Sequence, residues 1–316
     1  MKIKIISFFI LSIALILTGC NGQENTQQED EYLTIYTTIY PLEDFASKIG
    51  GDLVDVKSVY PPNTDAHTFE PTPRTMTQIA DADAFIYTGV GLEGFVDAAI
   101  KTLSNEHVQL IEASSGIELS GTADNHEQES DDAHDEDEHH DEHDTDPHIW
   151  IDPVLSVSLA ENIKEALVEL KPESAEIFEA NFNNLKEELM ALDNEFTTTV
   201  KNASHPEILV SHAAYGYWER RYGIEQISVA GLSPSQEPSQ KQLQYIIETA
   251  KEHDIQYVIF EQNVTGKVAE VVQKEIGAEA LTLHNLESLT DEDINNSEDY
   301  FSLMRSNLEV LKKAME

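Results

Sequence analysis

The chain is poor in the residues that several protein classes require. It has one cysteine in 316 residues, which excludes an intrachain disulfide and a Cys-based zinc finger. Lysine and arginine are scarce, 19 against 60 Asp plus Glu, for a formal charge of −41. Such a balance argues against nucleic-acid binding, because phosphates need Lys and Arg to replace their counterions. It equally disfavours electrostatic attachment to anionic lipid. The apolar run Ile5–Leu17, broken only by Ser7 and Ser12, is too short to span a membrane comfortably. What the chain does have is 40% apolar and 8% aromatic residues, enough for packed cores, and a length that suggests about two domains. Cations are the natural partners of so acidic a surface.

Lys2 and Lys4 ahead of the Ile5–Leu17 run fit a signal peptide. The run ends in Leu17-Thr18-Gly19-Cys20, which resembles the lipobox of bacterial lipoproteins. That resemblance implies cleavage after residue 19, acylation of Cys20 and at least two acyl chains, as stable anchoring requires. Residues 21–31 are polar, without a hydrophobic residue, and read as a flexible tether. The protein is therefore expected to be exported and held on the outer face of the cell membrane.

From residue 32 short β-branched strands alternate with helical patterns. Strands are predicted at 33–38, 53–59, 84–87 and 108–111, with helices at 41–49, 74–80 and 92–103. This rhythm predicts a parallel sheet with covering helices. Residues 121–147 interrupt it with thirteen acidic residues, five His and no Lys, Arg, Val, Ile, Leu, Phe, Tyr or Trp. Such a segment cannot bury a core and is expected to be disordered without a ligand. A helix is predicted at 154–170, and Pro172 allows a fresh start. A helical pattern then runs to about 202, with Phe178, Phe182, Leu185, Leu189, Leu192 and Phe196 on one stripe. Thirty residues make about 45 Å of helix, read here as a link between two lobes. The second half repeats the rhythm, with strands at 208–211, 224–229, 257–260 and 280–283. Its helices fall at 215–222, 240–253, 267–275 and 298–313. The fold class is α/β, two similar parallel-sheet lobes joined by one long helix: a first lobe over 32–171, the link over 172–202 and a second lobe over 203–316.

Three histidines stand beside strand-end signals: His67 after the second strand, His148 just after the acidic loop, and His212 where a strand meets a helix. Loops at the carboxyl ends of parallel strands build ligand crevices. No short ligand spacing links the three, so each by itself also fits a surface or capping role. Four stretches carry more: DAHTFEPTP at 65–73, DPHIWIDP at 146–153, SHAAYGYWERRYG at 211–223 and NLESLTDED at 285–293. With them the chain, from about residue 32 to its end, resembles the metal-binding lipoprotein receptors of bacterial ABC importers, the zinc and manganese solute-binding family. The resemblance implies two lobes facing each other across a metal, with His67 and His148 as ligands from the first lobe and His212 and Glu287 from the second. Manganese receptors carry a carboxylate at the third position and zinc receptors a histidine, so His212 points to zinc. Three imidazoles and one carboxylate suit that borderline ion. Glu261, at a strand end, competes with Glu287 for the fourth place. Asp65, Glu70 and Asp152 are candidates to orient imidazoles through their second ring nitrogen.

Zinc receptors of this family often carry an acidic His loop. His126, His134, His139, His140 and His143 are read as a low-affinity zinc collector beside the tight site. The expected function is zinc capture outside the cytoplasm and delivery to the permease subunit of an ABC importer, by a monomer that is not an enzyme. A manganese receptor and a surface adhesin are the alternatives. A zinc hydrolase is a remote one, since it needs an open coordination position for water.

Overall fold

A computed structural model describes residues 32–119, 145–264 and 266–316. Cys20 and the loop histidines His126, His134, His139, His140 and His143 lie outside the described residues, as do the expected leader and tether.

The first lobe runs β1 (Leu33–Thr37), α1 (Tyr40–Gly50), β2 (Val54–Ser58), α2 (Pro73–Ala80), β3 (Ala84–Tyr87), α3 (Val96–Leu103) and β4 (Gln109–Glu112). The chain then crosses through α4 (Pro153–Leu170) and α5 (Ala175–Lys201). The second lobe comprises β5 (Glu207–His212), α6 (Gly216–Tyr222), β6 (Glu225–Ala230), α7 (Gln240–Glu252), β7 (Tyr257–Glu261), α8 (Lys267–Ile276), β8 (Glu279–Leu283), α9 (Asp291–Asn296) and α10 (Tyr300–Ala314).

The two sheets have the same topology, β2-β1-β3-β4 and β6-β5-β7-β8, and every pairing is parallel. In each, the first strand is central and successive strands are laid on either side of it. The loops leaving the carboxyl ends therefore diverge there and leave a crevice. Local chemistry sets the helix starts. Thr72 accepts from Thr75 N ahead of Pro73, Asp152 accepts from Val154 N and Leu155 N ahead of Pro153, and Ser239 with Gln242 forms a capping box.

Strand alternation divides the second sheet between two cores. Ile208, Val210 and Ile259 belong to a large cluster that also contains Ile35, Phe85, Phe196 and Leu311. Their neighbours Leu209 and Val258 face a smaller cluster with Ile246 and Val272 of α7 and α8. One hydrophobic core is thus shared by both lobes. The stripe on α5 lies inside it: Phe178, Phe182, Leu185, Leu189, Leu192 and Phe196 are all buried. The helix packs on α1 and α4 on one side and on α6 and α10 on the other. It is a packed strut rather than a free-standing coiled-coil arm.

Some local expectations shift. The helix expected from residue 92 begins at Val96, because the preceding loop has left-handed backbone at Gly89, Val90 and Gly91. Helix α9 carries almost no apolar periodicity; a capping box between Thr290 and Asp293 starts it. Among the described residues, no helix is long and apolar enough to cross a membrane.

Candidate metal centre

Each of the four candidate residues sits at or just beyond a strand's carboxyl end, or on the connection that follows it. His212 is the last residue of β5, and Glu287 follows β8 by four residues. His67 lies between β2 and α2, and His148 opens the 3-10 turn Ile149–Ile151 just before α4. The structure brings them together. One ligand atom from each of His67, His148, His212 and Glu287 falls within 4.8 Å of the others. His67 Nε2 and His148 Nε2 are 3.3 Å apart, His212 Nε2 and His148 Nε2 3.4 Å, and His67 Nε2 and Glu287 Oε1 3.6 Å. A tetrahedral zinc with bonds of about 2.1 Å separates its ligands by about 3.4 Å.

The cluster is dry. His148, His212 and Glu287 are 0% exposed, and only His67 keeps a trace of surface, its side chain 8% exposed. Glu287 Oε2 accepts a hydrogen bond from Ala66 N at 2.9 Å. Its Oε1 has no hydrogen-bond partner among the described residues. An unpartnered buried carboxylate oxygen is costly, and here it faces three imidazole nitrogens, an arrangement a cation would satisfy.

Burial dominates the electrostatics. It pushes the Glu287 carboxyl up to about 8, against the bond from Ala66 N and the charge of His212. It pushes His67 down to about 2, helped by repulsion from His148 and His212. His212 is drawn two ways: burial lowers it, but Glu261 carries it above its ordinary value.

Glu261 is near but is not one of the four. Its Oε1 lies 2.5 Å from His212 Nδ1, on the side of the ring away from the cluster. Ser211 Oγ and Asn285 Nδ2 donate to it. Fully buried, it is nonetheless held below the usual carboxylate range by His212 and Asn285. Asp146 stands in the same relation to His148, with Oδ1 2.9 Å from Nδ1. The carboxylates that touch imidazole Nδ1 atoms here are thus Glu261 and Asp146, not Asp65, Glu70 and Asp152. Asp65 instead accepts from His67 N and Thr68 Oγ1, Asp152 caps α4 and pairs with Arg221, and Glu70 is exposed.

The turn that presents Glu287 was not legible in the sequence. Leu286 is fully buried at φ 62°, a left-handed backbone unusual for a bulky residue. Leu286 N donates to His284 Nδ1, and Glu287 N donates to Asn285 Oδ1. His284 Nε2 is anchored on Asp293 Oδ2 at 3.0 Å. Asn285 and Asp293 both fall within the NLESLTDED stretch, so their proximity to Glu287 in sequence was the available signal.

Comparison with known proteins places the chain in a family. The model of the family described as zinc-uptake complex component A, periplasmic, matches residues 35–314. The chain belongs to that family. Among zinc-uptake component A relatives, the zinc-binding lipoprotein AdcA of Streptococcus pneumoniae is 35% identical over 314 residues, 99% of this chain and 61% of its own. The high-affinity zinc uptake system protein ZnuA of Bacillus subtilis is 34% identical over 312 residues, 97% of this chain and 96% of its own. The crystal structure of the Zn(II)-bound ZnuA-like domain of the pneumococcal AdcA superposes with a TM-score of 0.73 at 32% identity, covering 90% of this chain and 99% of that one. The chain therefore spans about three-fifths of one relative's length and nearly all of another's.

Proposed function

We propose that this protein is an extracytoplasmic zinc receptor that captures zinc through His67, His148, His212 and Glu287 and delivers it to the permease of an ABC importer. The observation that carries the reading is the buried convergence of three Nε2 atoms on an unpartnered Glu287 Oε1. Three imidazoles with one carboxylate suit zinc, whereas manganese favours more oxygen. Four protein donors leave no coordination position for an activated water, which supports a carrier over a hydrolase. Membership in the zinc-uptake component A family supports the same reading.

The remaining elements rest on the sequence. Cys20 carries the lipid anchor on the outer face of the membrane, in keeping with a pneumococcal relative named as a lipoprotein. His126, His134, His139, His140 and His143 form a low-affinity collector whose carboxylates raise the local zinc concentration. Removing residues 122–145 then leaves one tight zinc and abolishes the weak ones.

The decisive test is metal analysis of the purified protein and of His212→Ala after dialysis against a weak chelator. One zinc per chain in the parent, and none held stoichiometrically by the variant, is expected. Stoichiometric zinc in His212→Ala refutes the assignment.

A further inference from the structure

His148 is reached from the first sheet, yet the segment around it is held by the second lobe. Tyr217 OH donates to Asp146 O at 2.9 Å, and Trp218 Nε1 donates to Ile151 O at 2.7 Å. Trp150 Nε1 donates to Asn285 O at 2.8 Å, and Arg221 Nε meets Asp152 Oδ2 at 2.5 Å. Asp146 is the junction of this arrangement, and it is 2% exposed. Its Oδ1 accepts from both His148 N, at 3.0 Å, and His148 Nδ1, at 2.9 Å. Its Oδ2 faces α6, 3.7 Å from Arg220 Nη2. That approach requires a glycine on the helix, since a Cβ at Gly216 would come within 2.6 Å of Oδ2.

A neutral imidazole carries one N–H, and only the other nitrogen can bind a metal. A carboxylate accepting from Nδ1 keeps the proton there and leaves the Nε2 lone pair free. It also stops the ring from turning about its bond to Cβ. Without that acceptor the proton can move to Nε2, which then has no lone pair to offer.

We propose that Asp146 is a positioning residue for metal capture. Seated against Gly216, Tyr217 and Arg220 of α6, it fixes His148 in the Nδ1–H form with Nε2 aimed at the cluster. The second lobe thereby aligns a ligand that comes from the connection leaving the first. The inference rests on the reading of His67, His148, His212 and Glu287 as zinc ligands.

A double-mutant cycle on the full chain tests it, with zinc affinity measured by chelator competition. Asp146→Ala is expected to weaken zinc about 10–100-fold, the usual cost of losing a partner that orients a ligand. In a His148→Ala background the same change is expected to cost less than about twofold, because Asp146 acts only through that ring. Tyr217→Phe and Gly216→Ala are expected to weaken zinc less, and their effects too vanish in that background. Asp146→Asn, which preserves shape and one acceptor, gives a smaller loss in the same direction and serves if the alanine variant folds poorly. At cobalt saturation, the visible absorption of Asp146→Ala is expected to depart from the parent's, since ligand geometry changes and not merely stability. Equal losses in both backgrounds, or an unchanged affinity and cobalt spectrum, overturn the role of Asp146. Undiminished zinc affinity in His148→Ala overturns the ligand reading itself.

Discussion

Zinc affinity should begin to fall at a higher pH than an ordinary histidine site allows. In the proposed site, coordination would require Glu287 as a carboxylate and each imidazole with a free nitrogen, so every proton on the metal-free cluster would compete with the metal. Burial pushes Glu287 up to about 8 and His67 down to about 2. At pH 7 the Glu287 carboxyl is then about nine-tenths protonated, while His67 is neutral and offers no competition. From Glu287 alone, apparent affinity should drop about eightfold between pH 8.5 and 7. Three histidines with ordinary pKa values near 6.5 would give only about twofold over that interval. His212, raised by Glu261, adds to the loss on the acid side. Competition against a chelating indicator, corrected for the indicator's own protonation, measures the profile. Calorimetry at pH 7 in two buffers of different ionisation enthalpy counts the protons released, and about one from Glu287 is expected before the His212 contribution. A change below twofold from pH 8.5 to 7, with proton release near zero, refutes the argument from burial.

Further outcomes follow from the same geometry. A carboxyl raised from 4.5 to about 8 contributes its full stability below pH 4.5 and loses it progressively as pH climbs from 4.5 through 8. Glu287→Gln should therefore stabilise the metal-free protein at pH 7 by roughly 3 kcal/mol while losing the rise in melting temperature that zinc confers on the parent, a crossover readable by thermal melts with and without metal. Phe196 of α5 stacks on Tyr222, ring centroids 5.3 Å apart, and lies 5.2 Å from Trp218. Phe196→Ala should cost about 3–5 kcal/mol in denaturant unfolding while the folded protein still binds one zinc; a cost below about 1 kcal/mol would refute the view of α5 as a packed strut. Glu261→Gln should weaken zinc about 10–100-fold without changing the one-to-one stoichiometry, because the group supports His212 from behind; loss of the stoichiometric site altogether would argue that Glu261 itself coordinates.

Much of the architecture was legible because it is encoded over short distances. Short β-branched or apolar runs mark β1 and β5, alternation at period two marks β2, and spacings of three and four mark the stripe on α5; all are patterns that neighbouring residues share. Helix α9 escaped that reading because capping side chains, not an apolar face, define it. The four candidate residues became visible through long motifs rather than through spacing. His67 and His148 are 81 residues apart and His148 and His212 are 64 apart, so no local pattern could unite them.

The chain's own order of residues was enough to establish an α/β fold of two like halves, a long connecting helix and a histidine-rich cation chemistry. Those features follow from periodicity and composition, which do not depend on what lies opposite. The placing of Glu261 behind His212 rather than in the cluster, and the seating of Asp146 against Gly216, required the folded chain. Each depends on which carboxylate oxygen faces which imidazole nitrogen in a buried crevice, and that is set when segments at or beyond the strand carboxyl ends of the two sheets come together.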